Sequence, residues 1–256
     1  ANSLLAIGDV FGDGSDEYVV YGGGSGTEVR VFNDKGVLQH RFNAYAAGAI
    51  ELALGDVDAD GKKEIITVPA LRAETRLKIF TGDGVELRSF LVYPQFQLGL
   101  HVASGDLNND GYSEIVVGAG VGGGPQVNVF DQSGKILKRF FAADETLRSG
   151  VLVSVDDVLG ARQRSIVTRV LNADAVGVFN SNGDHEKQVQ GVFNHAPEVA
   201  FSTGYFDLNN AADILFSWKE GTAIVSLIVN AQSAVITRFS ATQLGVVGSG
   251  SVFLVQ

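Results

Sequence analysis

Apolar and polar residues alternate along this chain in short runs and never at sustained helical spacing. Runs such as Leu4 to Ile7, Tyr18 to Tyr21, Glu28 to Phe32 and Val37 to Phe42 either alternate or form β-branched stretches, and glycine-rich turns separate them. No segment keeps apolar residues at i, i+3, i+4 and i+7, so helix should be nearly absent. The pattern predicts an all-β fold.

The pattern also repeats. Ile7-Gly-Asp-Val recurs as Leu54-Gly-Asp-Val and Ser104-Gly-Asp-Leu, weakens to Val155-Asp-Asp-Val and fades to Thr203-Gly-Tyr-Phe. The second residues fall at 8, 55, 105, 156 and 204, in steps of 47, 50, 51 and 48. A second ladder keeps step with it: Val31-Phe-Asn, Ile79-Phe-Thr, Val129-Phe-Asp, Val178-Phe-Asn and Ile228-Val-Asn. Four short strands per unit at this period predict a β-propeller, which buries each sheet face against the next. Five blades of four antiparallel strands fit the length, with units near 1–48, 49–98, 99–149, 150–197 and 198–250 forming one domain. Ser251-Val-Phe-Leu-Val, within 251–256, reads as an additional strand, for which a closed five-bladed ring has no place.

The acidic residues concentrate in the connection after each first strand. Asp56-Val-Asp58-Ala-Asp60-Gly61-Lys62-Lys63-Glu64 sets carboxylates at loop positions one, three, five and nine, and Asp106, Asn108, Asp110 and Glu114 repeat that spacing around Gly111. Calcium takes six to eight oxygens at roughly 2.3 to 2.6 Å, and such a loop supplies them, with the position-seven carbonyl of Lys62 or Tyr112 and a glutamate able to bind through both oxygens. An EF-hand would need its bidentate acid at position twelve, where Thr67 and Val117 stand. The first loop keeps Asp9, Asp13 and Glu17 but has Phe11 at position three, which predicts a weaker or water-completed site. In the fourth, Asp157 to Ser165, only the first acid remains beside two arginines, which should exclude a cation. The fifth has Tyr205 at position one, with Asp207, Asn209 and Asp213 retained.

Gly-Asp-x-Asp/Asn-x-Asp-Gly-x-x-Glu-Ile, followed in the third unit by Gly118-Ala-Gly-Val-Gly-Gly-Gly-Pro, resembles the FG-GAP or VCBS-type repeats, which also build the ligand-binding propeller of integrin α-subunits. The resemblance is strongest in the second and third units. It implies calcium as the bound ion, bracing one end of the propeller, and an extracellular or cell-surface setting.

Composition narrows the partner. Acidic residues outnumber basic ones 29 to 19, and a net charge of −10 argues against nucleic acid, which needs a basic face. No apolar run approaches the ~20 residues that cross a bilayer. No charged-then-apolar leader opens the chain, which therefore reads as a mature protein or an excised domain. With no cysteine there is neither disulfide nor thiolate ligand.

Antiparallel strands put the acidic loops on one face and gather Tyr45, Arg72, Tyr93, Phe96, Arg148, His195 and Trp218 toward the other, where a glycan or protein ligand is expected. No nucleophile elbow, His-Glu-x-x-His or cysteine nucleophile occurs, and the four histidines fall at unmatched positions. The run Gly118 to Gly124 lacks the Lys-Ser/Thr of a phosphate cradle and reads as a flexible turn. These features favour a non-catalytic, calcium-stabilised adhesion or binding module. The alternatives are a propeller enzyme acting on polysaccharide through channel acids, or an intracellular scaffold.

Overall fold

Each unit folds into one four-stranded antiparallel sheet in this computed structural model, which describes residues 4–22, 26–171, 173, 175–190, 199–206, 210–220 and 223–241. The first blade holds β1 (Leu4–Gly8), β2 (Glu17–Tyr21), β3 (Glu28–Phe32) and β4 (Leu38–Asn43). The second holds β5 (Ile50–Gly55), β6 (Glu64–Pro69), β7 (Arg76–Phe80) and β8 (Glu86–Leu91). The third holds β9 (Leu100–Gly105), β10 (Glu114–Ala119), β11 (Gln126–Phe130) and β12 (Ile136–Phe141). The fourth holds β13 (Val151–Asp156), β14 (Ser165–Val170), β15 (Ala175–Phe179) and β16 (His185–Gln190). The fifth holds β17 (Val199–Gly204), β18 (Asp213–Glu220), β19 (Ala223–Val229) and β20 (Val235–Ala241). Among the described residues there is no helix. The additional C-terminal strand expected at 251–256 lies outside them.

Strands pair in chain order within every sheet, and the first strands adjoin one another in the order β1, β5, β9, β13, β17. The chain thus runs outward through each blade. Second strands β6, β10 and β14 are buried along their whole length, while β4, β8 and β12 are largely exposed at the rim. This is a five-bladed β-propeller, whose core lies between blades rather than inside one layer.

The second sequence ladder is an inter-blade contact. In every blade a bulge interrupts the pairing of the third and fourth strands, at Val31/Phe32, Ile79/Phe80, Val129/Phe130, Val178/Phe179 and Ile228/Val229. A bulge re-aims the side chain beside it. Phe80 packs on Phe42 of the preceding blade at 4.8 Å between ring centroids, Phe130 on Phe90 at 5.3 Å and Phe179 on Phe140 at 4.8 Å. Gly84, Gly134 and Gly183 in the following turns lie so close to the same Phe42, Phe90 and Phe140 that no Cβ would fit without displacing a ring. The fifth blade has Val229 where the others have phenylalanine, and the fourth has Val189 opposite it. The two valines share one buried cluster.

Candidate functional site

The first-to-second-strand loops share a backbone that does not depend on a full acid set. Position four is left-handed in the first four loops (Gly12, Ala59, Asn109 and Gly160, φ 60 to 71°), and so is position six (Gly14, Gly61, Gly111 and Arg162, φ 58 to 92°). Amides then point inward at the first aspartate. Asp56 accepts from Asp60 N at 3.1 Å and Gly61 N at 2.9 Å, Asp106 from Asp110 N and Gly111 N, and Asp157 from Ala161 N and Arg162 N. The acid at position nine is buried and caps the amide of position two: Glu17 to Val10 N, Glu64 to Val57 N, Glu114 to Leu107 N and Asp213 to Phe206 N, at 2.8 to 3.2 Å.

The second loop gathers the strongest ligand set. One oxygen each of Asp56, Asp58 and Glu64 lie within 4.8 Å of one another. Asp60 faces Lys62 instead, accepting its amide at 2.8 Å and standing 3.3 Å from its ammonium. Burial, reinforced by the negative charges of Asp58, Asp60 and Asp56, pushes the Glu64 carboxyl up to about 7. Hard carboxylate oxygens converging at this spacing suit calcium. In the third loop burial and the charges of Asp110 and Asp106 likewise raise Glu114. There Asn108 turns its amide nitrogen to Asp110 at 3.0 Å and to Glu114 at 3.2 Å. Its oxygen accepts Asp110 N at 2.9 Å, and a half-turn about the Cβ–Cγ bond would exchange the two ends of the amide. Oε2 of Glu64 and of Glu114 each accepts one amide, and Oε1 of Glu114 accepts from the Asn108 side chain.

The first and fourth loops replace the central acid with an apolar side chain that packs on the core. Phe11 lies against the first inter-blade cluster and 5.6 Å from the His40 ring, and Leu159 against the cluster between the fourth and fifth blades. Asp9 is held below the ordinary carboxylate range, chiefly by the Gly14 amide, and Asp13 accepts Ser15 N. Asp9, Asp13 and Glu17 therefore keep the loop's hydrogen bonds while Phe11 fills the third position. In the fifth loop, Asp207 and Asn209 lie outside the described residues. The fourth loop holds Arg162 at φ 58°, a conformation that costs a non-glycine residue about 1 kcal/mol. Arg162→Gly keeps the amide that Asp157 accepts, and is expected to raise the unfolding free energy by about 1 kcal/mol in urea titration.

Neighbouring loops are joined backbone to backbone. The position-eight amide of the second, third and fifth loops donates to the position-one carbonyl of the preceding one: Lys63 N to Asp9 O at 2.9 Å, Ser113 N to Asp56 O at 2.7 Å and Ala212 N to Asp157 O at 2.8 Å. Between the third and fourth, the Gln163 side-chain amide donates to Leu107 O at 3.3 Å. This contact explains the glycine of the Gly-Asp ladder. A Cβ on Gly8 would stand 2.6 Å from the Lys63 side chain, one on Gly55 2.2 Å from the Ser104 hydroxyl and 3.0 Å from Ser113, and one on Gly105 2.8 Å from the Arg164 guanidinium.

Several aromatic residues expected on the opposite face are structural. The Tyr45 hydroxyl lies 2.9 and 2.8 Å from the carbonyl oxygens of Thr67 and Arg76 in the next blade, and the Tyr93 hydroxyl 3.2 and 3.0 Å from those of Val117 and Gln126. Each tyrosine plugs the point where two strands of the following sheet diverge. Phe96 packs edge-on against Tyr93 at 6.1 Å, and Trp218 is buried in the cluster between the last two blades. Arg72 and Arg148 are exposed. His195 lies outside the described residues. The glycine run after β10 is a packed junction and not a flexible turn: Gly120 N donates to Gly99 O, Gly122 N to Arg148 O and Gly150 N to Gly123 O, at 2.9 to 3.2 Å. Side chains that sequence reasoning passed over stand out instead: Leu71 and Val121, each 64% exposed, with Leu98 and Leu147. On the inner strands His101 Nδ1 lies 2.7 Å from Glu51. Burial opposes the charged imidazole, but the Glu51 carboxylate outweighs it and holds His101 above the ordinary histidine range.

The FG-GAP repeat profile matches residues 98–136, the third blade from its entry to the start of its last strand. Comparison with curated proteins finds no match. Among solved structures, the V. cholerae biofilm matrix protein Bap1 is 18% identical at a TM-score of 0.50, over 94% of this chain and 39% of that one. An Agrocybe aegerita lectin that recognises non-reducing terminal N-acetylglucosamine is 16% identical at 0.54, over 97% and 67%. An auxiliary nutrient binding protein from Bacteroides thetaiotaomicron is 12% identical at 0.54, over 91% and 56%. The chain thus spans about two fifths of the first of these proteins and two thirds of the second, and these identities speak for the fold alone. The chain is thus a five-bladed β-propeller that carries an FG-GAP-type repeat in its third blade, with the same loop framework in the blades on either side.

Proposed function

We propose that the chain is a calcium-stabilised, non-catalytic binding module of an extracellular or cell-surface protein, with a glycan or protein ligand on the face opposite the acidic loops. The observation that carries the reading is the convergence of Asp56, Asp58 and the buried Glu64 in a loop whose acid spacing the third blade repeats. Calcium at both loops supplies the missing positive charge and fixes the turn to which the next blade is hydrogen-bonded. Lectin, biofilm-matrix and nutrient-binding proteins share the fold, which supports binding as the use of the scaffold. No helix among the described residues is long and apolar enough to cross a membrane.

A polysaccharide-processing reading needs two carboxylates flanking a bond in the channel. Among the described inner-strand residues, Glu51 is paired with His101 and Asp156 stands at the loop end, which favours binding over hydrolysis. Calorimetric titration of the chelator-stripped chain with calcium tests the proposal. Two ions per chain are expected, falling to one in Asp58→Ala. No heat at millimolar calcium would sink it.

A further inference from the structure

The fourth and fifth units depart from the repeat at two positions that meet. Aspartate replaces the ladder glycine only in the fourth, as Asp156, and tyrosine replaces the position-one aspartate only in the fifth, as Tyr205. Both stand where an inner strand ends on the acidic-loop face, Asp156 at the close of β13 and Tyr205 just after β17, and these two strands adjoin. Two residues earlier on each, the hydroxyls of Ser154 and Thr203 lie 2.8 Å apart and tie the strand ends together.

The departure changes what the fifth loop displays. Position two is aliphatic and buried in the other four loops, with Val10, Val57, Leu107 and Val158 at 0 to 3% exposure, whereas Phe206 is 38% exposed and Tyr205 60%. The Phe206 ring is folded over Gly204, where a Cβ would stand 3.4 Å from it, and the Phe206 amide still donates to Asp213 at 3.2 Å. Burial and the carboxylates of Asp156 and Asp157 hold the Tyr205 hydroxyl above the ordinary tyrosine range, and the nearby Arg164 guanidinium opposes them. Arg164 is exposed and reaches to the end of β9, where a Cβ on Gly105 would stand 2.8 Å from it. Both Asp157 oxygens accept amides of their own loop, so the acceptor beside the two rings is Asp156 and the donor is Arg164.

We propose that this corner holds a neutral saccharide, its C–H face on Tyr205 and Phe206 and its hydroxyls on Asp156 and Arg164. A sugar ring has a weakly polar face and a rim of hydroxyls that each donate and accept. Flat aromatic surface beside one carboxylate and one guanidinium answers both demands, on a base already fixed by the two strands. One acid against one arginine leaves no excess charge to select an ion. Peptide anchors would look for aliphatic neighbours, and Val158 and Leu159 of the adjoining loop are packed into the core instead. The site adds a place on the acidic-loop face to the ligand proposed for the opposite one.

Screening the chain on an array of neutral oligosaccharides, followed by calorimetric titration with the best-retained one, tests this. Tyr205→Ala, Phe206→Ala and Arg164→Gln are each expected to weaken binding about tenfold, or about 1.4 kcal/mol. Tyr205→Phe keeps the ring face and should cost no more than about threefold. Phe141→Ala, which removes a 44% exposed ring from the rim strand β12, should bind as the parent does. The three substituted side chains are exposed, so melting temperatures should hold; a variant whose midpoint falls is set aside and the others decide. A saccharide whose affinity all three leave unchanged sits elsewhere, which overturns this proposal and leaves the binding-module reading standing. An array that retains nothing overturns it as well. So does a dimer dispersed by Tyr205→Ala, which assigns the rings to a second copy, or a peptide from a random library that depends on Tyr205 when no saccharide is retained.

Discussion

Saturating calcium is expected to raise the melting temperature of the chelator-treated chain by roughly 10 °C at neutral pH, and the rise is expected to shrink on acidification. A ligand at a hundred times its dissociation constant adds about 2.7 kcal/mol per site, and in a domain of this size each kcal/mol moves the midpoint by about 2–4 °C. The pH dependence follows from Glu64. Its carboxyl titrates at about 7 in the metal-free fold and near the ordinary glutamate value of 4.5 when unfolded. Between those values the folded chain holds the extra proton, so metal-free stability increases as pH falls from 7 towards 4.5 and decreases again as pH rises. Calcium needs the deprotonated acid and loses affinity over the same interval. The two melting curves should therefore converge on acidification. Glu64→Gln should remove most of the second loop's share of both effects. His101 also takes up its proton early in the folded state, so a smaller loss of stability with rising pH should survive in that variant. A calcium-induced rise that stays constant from pH 7.5 to 5 would contradict the placement of Glu64 in the metal shell.

Gly150→Ala is expected to destabilise the chain by about 3 kcal/mol or more, and Gly36→Ala by only about 1 kcal/mol, in parallel urea titrations. The two glycines have almost the same left-handed backbone, φ 76° and 74°. Around Gly36 an added methyl meets nothing within 4 Å, whereas at Gly150 it stands 2.6 to 2.8 Å from the backbone of Gly120 and Val121. The conformational term is common to both, so the difference isolates the close approach at the junction. Equal losses would mean that Gly150 is not packed on the backbone of Gly120 and Val121.

The two ladders made the fold legible because each repeated residue touches the copy beside it. Phenylalanine recurs near position 80 because its ring meets Phe42, and Gly-Asp recurs because Lys63, Ser104 and Val155 of the following blades stand over the glycine. Strand limits moved by a residue at most, as with β4, expected from Val37 and observed from Leu38. The acid spacing likewise revealed the loops. What it could not reveal was that Asp157 keeps the same hydrogen bonds with no metal ligands around it, since those bonds run to amides and leave no trace in side-chain identity.

The aromatic residues of the opposite face show a related limit. A tyrosine in a connection looks available until its hydroxyl is placed, and Tyr93 reaches carbonyls 24 and 33 residues away. Glycines in a row suggest freedom when only local sequence is considered. Here their neighbours come from two other blades, which no local pattern shows.

The amide links between successive loops bear on how such a repeat tolerates drift. Because the first, second and fourth loops hang their first carbonyl on an amide of the next, and the third is tied to the fourth through Gln163, loop shape is partly stored in the neighbours. The fourth loop, stripped of ligands and carrying two arginines, still takes the outline of its acidic siblings because it is held from both sides. Inheritance of form from adjacent copies leaves individual copies at liberty to change their chemistry, so one ring can carry acid-lined and grease-packed corners together.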